Sequence, residues 1–468
     1  MARKKQGLQT VSFEKKPYII GRGNVVGKKE SEGPLASYFD ESLTDDMYGE
    51  KSWEKAESKM LQTAMSKACT RAQLSKENID VMLSGDLVNQ IMSSSFTARN
   101  MHIPFLGLYG ACSTMTESMV LGSMLIDGEF ASNVLAGASS HFCTAERQFR
   151  MPVEHGNQRP PSAQWTATAA GAVVISESAG GNATVNIRVT DATVGKVIDA
   201  GIKDANQMGA AMAPAAVDTL LNHLQDTGRE IDYYDLVATG DLGYIGKDIM
   251  CDLLVDAGLD SRKVFGHYDD CGTMLFAKDQ DVHGGGSGCG CSAAVLTGSL
   301  LKKMEQGEYK RILLMSTGAL LSTISPFQGE SIPGIAHLLN SACRCIGGGM
   351  MDYVWAFLIG GLFCVAGQIL MDTTKLTAPR ILVIFVLAGV VLQAFNLYEP
   401  IVELAGNGAT TPLPGFGYNL AKGAMEGAKN GFLPAITGPI KATAAGVAVA
   451  ITFGYIVSLI FNPKSPKR

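Results

Sequence analysis

The chain changes character near residue 350. Beyond that point three stretches carry no charge: 353–370, 381–398 and 442–461. Each is close to the roughly 20 apolar residues that a bilayer-spanning helix needs. Ahead of them, to about Leu339, the sequence reads as a soluble, Gly-rich α/β protein. The spacing predicts a soluble domain over 1–340, a junction over 341–351, and a polytopic membrane domain over 352–468. A large soluble domain tethered to a small helical bundle points to a binding or gating subunit attached to a pore, since a freely diffusing enzyme has no need of the bundle.

Charge divides along the same line. From Asp352 onward there are eight Lys/Arg against five Asp/Glu; before it, 31 against 39. Neither part is basic enough for nucleic acid, and no Lys/Arg stripe with interleaved aromatics occurs. The opening Met-Ala-Arg-Lys-Lys has no apolar stretch behind it, which argues against a secretory signal. Ten cysteines in 468 residues do not make a disulfide framework. There is no C-x-x-C pair, and the seven histidines are scattered singly, so neither a metal nor a cofactor is expected.

The soluble part repeats itself. Residues 110–129 read GACSTMTESMVLGSMLIDGE and 288–308 read GCGCSAAVLTGSLLKKMEQGE. Each has Cys-Ser, a small or apolar helical stretch, then Gly-Glu sixteen residues after the Cys, and each runs on into a β-rich segment. Further upstream, Gly85-Asp86-Leu87 is echoed by Gly240-Asp241-Leu242. These matches predict two homologous halves, about 8–180 and 181–340. Strand and helix signals alternate in both: helix over 53–70, strands over 81–84 and 171–176, helix over 215–225, strands over 236–239 and 311–316. Such alternation argues for a layered α/β architecture.

The repeat also points to a site. Cys112 stands at the start of a helix, where the positive end of the macrodipole lowers a thiol pKa. Against this stands the plainer reading that Cys112 is one more buried cysteine. Residues 282–288, Val-His-Gly-Gly-Gly-Ser-Gly, form a Gly-rich loop that lets backbone approach a ligand. It lacks the Gly-Lys-Ser/Thr ending of a phosphate loop. By symmetry this loop should face the Cys112 turn. Arg147, Arg150 and Arg159, with Phe149 and with Gln164-Trp165 close behind, form a loop that could clamp a planar anion through guanidinium forks. An exposed dimer contact is the competing reading of that loop.

These residues resemble known families. A Cys at a helix start in one half and a Gly-rich loop in the other resemble the thiolase-like, five-layered fold of condensing enzymes. Residues 146–172 and 325–337 are similar to the stage V sporulation protein AD family. Residues 351–368, 406–424 and 443–461 resemble the stage V sporulation protein AE family of small membrane proteins, which is normally a separate polypeptide. The resemblance implies a complex that moves dipicolinic acid, as its calcium chelate, across the spore inner membrane in sporulation and germination. It also implies partners in the other subunits of the stage V sporulation A complex and the lipid bilayer, and it is compatible with a homodimer through the thiolase-like domain. Cys112, His283, Asp241, Arg150, Gln164 and Trp165 are the expected ligand-binding residues. Condensing enzymes place His or Asn where this chain has Gly240-Asp241, and an Asp there would not stabilise an oxyanion. Catalysis is therefore expected to be lost. The alternative is a membrane-tethered ketoacyl synthase-type enzyme using Cys112 and His283.

Between the second and third uncharged stretches the sequence is rich in Gly and Pro. It is read as either a re-entrant segment or a surface loop, with Gly415, Phe416 and Gly417 as pore or gate candidates. Charge placement by the positive-inside rule would put the soluble domain outside. The lack of an apolar leader favours the cytoplasmic face, which is the expectation adopted.

Overall fold

The computed structural model describes residues 3–149, 159–179, 185–345, 350–395 and 397–429, and beyond them 431, 433, 435–440, 442–444 and 455. The chain divides into two compact units, Met1–Ile346 and Gly347–Arg468.

In the first unit the N-terminal half is built from β1 (Tyr18–Val26), α1 (Trp53–Ala72), β2 (Val81–Gly85), α2 (Met92–Met101), β3 (Phe105–Gly107), α3 (Thr114–Asp127), β4 (Asn133–Ser140), α4 (Phe142–Phe149) and β5 (Ala169–Ser176). The second half repeats the scheme with β6 (Val185–Thr193), α5 (Met208–Thr227), β7 (Leu236–Thr239), α6 (Gly243–Asp256), β8 (Tyr268–Asp270), α7 (Cys289–Val295), β9 (Arg311–Ala319) and β10 (Gly334–Cys345).

The same strand order occurs twice. The first half runs β1-β5-β4-β2-β3 and the second β6-β10-β9-β7-β8. In each, the first three strands pair antiparallel and the last three parallel. The two five-strand runs join into one continuous sheet where Tyr18 pairs with Arg188 and Ile19 with Ile187. α1 and α2 cover the outer face of the first run, and α5 and α6 that of the second, while α3 and α7 contact strands or one another between the runs. The result is the five-layered α/β arrangement.

Local chemistry explains these elements. Ser52 caps α1 by accepting the Lys55 N–H, Glu54 sits in its first turn, and Gln73 ends it in the left-handed conformation. Ala56, Met60, Ala64 and Ala68 recur at helical spacing and are all buried against the sheet. β5, Ala-Ala-Gly-Ala-Val-Val-Ile-Ser, is buried at every position, as a strand with helices on both faces must be. Burying a Val or Ile side chain contributes about 1.5–3 kcal/mol.

β10 lies between β9 and β6 and is antiparallel to both. Its Gly334 pairs with Ala319 at the end of β9, and its Ala342 with Arg311 at the start. The chain therefore leaves this unit at the end of the sheet opposite the C-terminal ends of the parallel strands.

In the second unit α8 (Met350–Thr373), α9 (Ala378–Ala394) and α10 (Leu413–Lys429) are joined by short helices Glu399–Ala405 and Asn407–Thr410. Among the described residues one helix is long and apolar enough to cross a membrane, Tyr353–Thr373; Pro379–Ala394 is shorter. The expected second span thus ends at Ala394, and the third, 442–461, lies mostly outside the described residues. The Gly- and Pro-rich segment is largely helical, because Pro412 and Pro414 fall at or beside the first turn of α10, where a missing N–H is tolerated.

Candidate functional site

Cys112 follows β3 in the short turn Ala111–Ser113 that leads into α3. The turn is held by its own side chains: Ser113 donates to the Gly110 carbonyl at 2.6 Å and Thr114 to that of Ala111 at 2.7 Å. β9 lies directly against it. A Cβ on Gly318 would sit 2.4 Å from the Gly110 oxygen, so only glycine permits this approach.

The thiol of Cys112 stands close enough to the carboxylate of Asp241 for each to shift the other's pKa. Asp241 is fully buried and accepts from the Thr317 hydroxyl at 2.7 Å, the Gly288 N–H at 2.9 Å and the Ser287 hydroxyl at 3.3 Å. Burial raises its pKa to about 6, opposed by those donors. For Cys112, burial, then the negative charge of Asp241 and the neighbouring Cys289, push the thiol well above its ordinary value; the Gly288 N–H opposes them. This corrects the expectation of a thiol activated by the helix dipole. Desolvation and an adjacent carboxylate outweigh the helix end. The Gly-rich loop does face the Cys112 turn, through Gly288.

Beside Cys112 opens a narrow cleft of about 40 Å³. Its walls include Leu87, Phe149, Met208 and Leu321, and its polar groups include the hydroxyls of Tyr109, Thr166 and Ser287. Apolar walls suit a planar ring and convergent hydroxyls suit oxygen-rich substituents.

The remaining expected residues are placed as follows. Gln164 is buried and its Nε2 donates to the carbonyls of Asp241 at 2.7 Å and Gly286 at 2.9 Å, so it binds the two second-half loops together. Trp165 pairs with Gly286 in a two-residue bridge, and its ring stacks on Phe142 at 3.7 Å under the cations of Lys29 and Arg159. His283 is part-exposed: Nδ1 meets the Pro160 carbonyl at 3.0 Å and Nε2 the Asp281 carboxylate at 2.9 Å. Neither Trp165 nor His283 lines the Cys112 cleft. Arg150 lies outside the described residues. The segment read as an arginine loop is helical up to Phe149. Its Arg147 pairs with Glu54 and stands over Trp53, while Arg159 pairs with Asp281. Those cations are held structurally.

In the second unit Gly415 and Gly417 stand in the opening turns of α10. A Cβ on Gly417 would lie 2.0 Å from the Val386 oxygen, and one on Gly415 2.2 Å from that of Ala409. Both glycines permit close backbone approach, unlike the pliable hinge expected of a gate. Phe416, between them, is part-exposed. Among the described residues no group of His, Cys, Asp and Glu is arranged to hold a metal ion.

Sequence reasoning passed over Asp86, Glu57, Thr317 and Ser287. Asp86 was within reach, since Gly85-Asp86-Leu87 repeats Gly240-Asp241-Leu242. Thr317 carries no local signal; only the register of β9 against β7 aims it at Asp241.

Comparison with known proteins gives the following. The family model described as Stage V sporulation protein AD (SpoVAD) matches residues 7–341, and that described as SpoVAC/SpoVAEB sporulation membrane protein matches 352–460. Stage V sporulation protein AD of Bacillus subtilis is 45% identical over 331 residues, covering 71% of this chain and 96% of that protein. Stage V sporulation protein AC of the same organism is 29% identical over 121 residues, covering 23% of this chain and 81% of that protein. Among solved structures, a 3-oxoacyl-[acyl-carrier-protein] synthase III from Aquifex aeolicus aligns with 69% of this chain and 99% of its own, at 16% identity and a TM-score of 0.42. An OleA variant from Xanthomonas campestris aligns with 71% and 97%, at 14% identity and a TM-score of 0.47.

Proposed function

The chain belongs to the stage V sporulation protein AD family, joined to a membrane part of the SpoVAC/SpoVAEB type, and from that premise we propose that its α/β unit binds dipicolinic acid in the Cys112 cleft without acyl transfer. In this reading the membrane part serves passage of the ligand across the spore inner membrane, with other subunits of the same complex. The soluble unit stands on the cytoplasmic face and pairs with a second copy. The pyridine ring lies between Phe149, Leu87 and Leu321, and its carboxylates meet the hydroxyls of Tyr109 and Thr166.

One observation supports the non-catalytic reading: a buried carboxylate, Asp241, stands beside the Cys112 thiol and, with burial, holds it protonated. Acyl transfer needs a thiolate, and a group that stabilises negative charge beside it. Asp241 opposes both. In this proposal Cys112 lines the ligand floor, with Asp241 behind it and Gln164 holding the second-half loops in place. A role for Arg150 in recognising a carboxylate remains part of the proposal, while Trp165 and His283 brace the neighbouring loops, and Gly415, Phe416 and Gly417 border the ligand path in the membrane part.

Calorimetric titration of the full chain in detergent tests the reading. Dipicolinic acid should give a saturable heat, and acyl thioesters should leave no acyl group on Cys112 by mass spectrometry. A Cys112 acyl adduct that turns over would establish the tethered synthase instead.

A further inference from the structure

The duplication places a second pair of groups in corresponding positions. β2 ends at Gly85 and runs on into Asp86-Leu87, β7 runs on into Gly240-Asp241-Leu242, and both aspartates are fully buried. Asp86 accepts the N–H groups of Val88 at 2.9 Å and Ser94 at 2.7 Å. A further buried carboxyl backs each one. Glu57, near Asp86, accepts the hydroxyls of Ser139 and Thr144. Asp270, near Asp241, accepts the Thr239 hydroxyl and the N–H groups of Leu242 and Gly243.

Among the described residues the groups that face these carboxyls are neutral or acidic. Facing Asp241 are the thiols of Cys112, Cys271, Cys289 and Cys291. Facing Asp86 are Tyr109 and Cys289. Glu146 adds a carboxyl to the cleft wall from α4. None of these groups is cationic, and none of the described residues lining the cleft is Lys, Arg or His.

We propose that Asp86 and Asp241 together hold one proton that loads with an anionic occupant of the Cys112 cleft, so that a dicarboxylate enters with a proton. The inference rests on the cleft being the ligand site. A dianion beside ionised, buried carboxyls meets repulsion that a low dielectric leaves unscreened. A proton from solvent removes it. The proton returns to solvent when the ligand leaves, and no covalent bond is made or broken. The donors around each aspartate are backbone N–H and hydroxyl groups, which hold it in place in either state. Burial already sets both carboxyls at about 6, within reach of a further push by the anion.

The test is calorimetry of the full chain with dipicolinic acid, in phosphate and in Tris, from pH 6 to 8. The ligand is fully ionised throughout, so any proton taken up goes to the protein. Binding heats should differ between the buffers by an amount corresponding to uptake approaching one proton. Affinity should weaken by up to about tenfold per pH unit toward pH 8. Asp241→Asn, with its fold checked by circular dichroism, should reduce the buffer difference; should it not fold, the wild-type comparison decides alone. Equal heats in both buffers with a flat affinity would overturn proton loading while leaving the ligand site intact. No heat at any pH would overturn the ligand site itself, and this inference with it.

Discussion

The two halves of the α/β unit share a strand order but divide the chemistry. In the first half the turn before the central helix carries Cys112 beside the cleft, stabilised by its own Ser113 and Thr114. The aligned turn in the second half is wholly buried and contributes backbone: the Gly288 N–H reaches Asp241. The residue before the aligned cysteine is Ala111 in one half and Gly290 in the other. Duplication supplied one frame twice, and the asymmetry between the copies created the site. One copy kept a side chain at the pocket, and the other gave up side chains to close against it.

The sharpest way to break this comparison is Gly290→Ala. A Cβ there would lie 2.3 Å from the carbonyl oxygen of Ala169, a backbone atom that cannot swing aside. A loss of about 3 kcal/mol is expected, seen as a lowered thermal midpoint by circular dichroism. An unchanged midpoint would mean the second-half turn is not closed as described.

Thr317→Val comes next. It removes the shortest hydrogen bond to Asp241 and leaves a buried carboxylate underserved, at a cost of about 2 kcal/mol. Ser139, which donates to Glu57, is the first-half test at the corresponding strand position, and Ser139→Ala should cost less because Thr144 also serves that carboxyl. Equal losses would erase the distinction between the halves.

A third expectation concerns pH. Burial raises Asp86 and Asp241 to about 6, Asp270 to about 7 and Glu57 to about 8. The folded chain therefore holds protons that the unfolded chain releases. Stability from these groups is fully present below pH 4 and is lost as pH rises through 6 to 8. The slope in that window should be on the order of 1 kcal/mol per pH unit, followed by urea midpoints. Stability that instead rises toward pH 8 would show the carboxyls to be ionised in the fold.

The smallest effect is expected from Ala111→Gly. Ala111 has φ 50, a left-handed conformation that glycine adopts without strain. The loss of its buried methyl offsets that relief, so the midpoint should move by less than about 1 kcal/mol in equivalent stability.

Much of this was legible in the sequence. The run 171–176, buried at every position, and the helix over 53–70 needed only periodicity. The repeat around Cys112 and Cys291 gave the two halves. Cys112 and Asp241 were both singled out, but the sign of their interaction was not. A helix start favours a thiolate, and only the fold shows that Asp241, 129 positions later in the chain, lies against it. His283 misled for the converse reason: adjacency in sequence to a Gly-rich loop says nothing of the direction a side chain takes. The Gly–Pro segment misled because glycine is read as a breaker, whereas between apolar helices it is what lets backbones touch.

The position of β10 has a mechanical consequence. It is a central strand, hydrogen-bonded on both sides, and about 40 Å long at its twelve residues. The chain leaves this unit from its far end. A pull applied at that exit loads β10 lengthwise, so its hydrogen bonds to β9 and β6 share the force together instead of being peeled singly. The cleft beside Cys112 lies at the other end of the strand, away from the point where such a load enters.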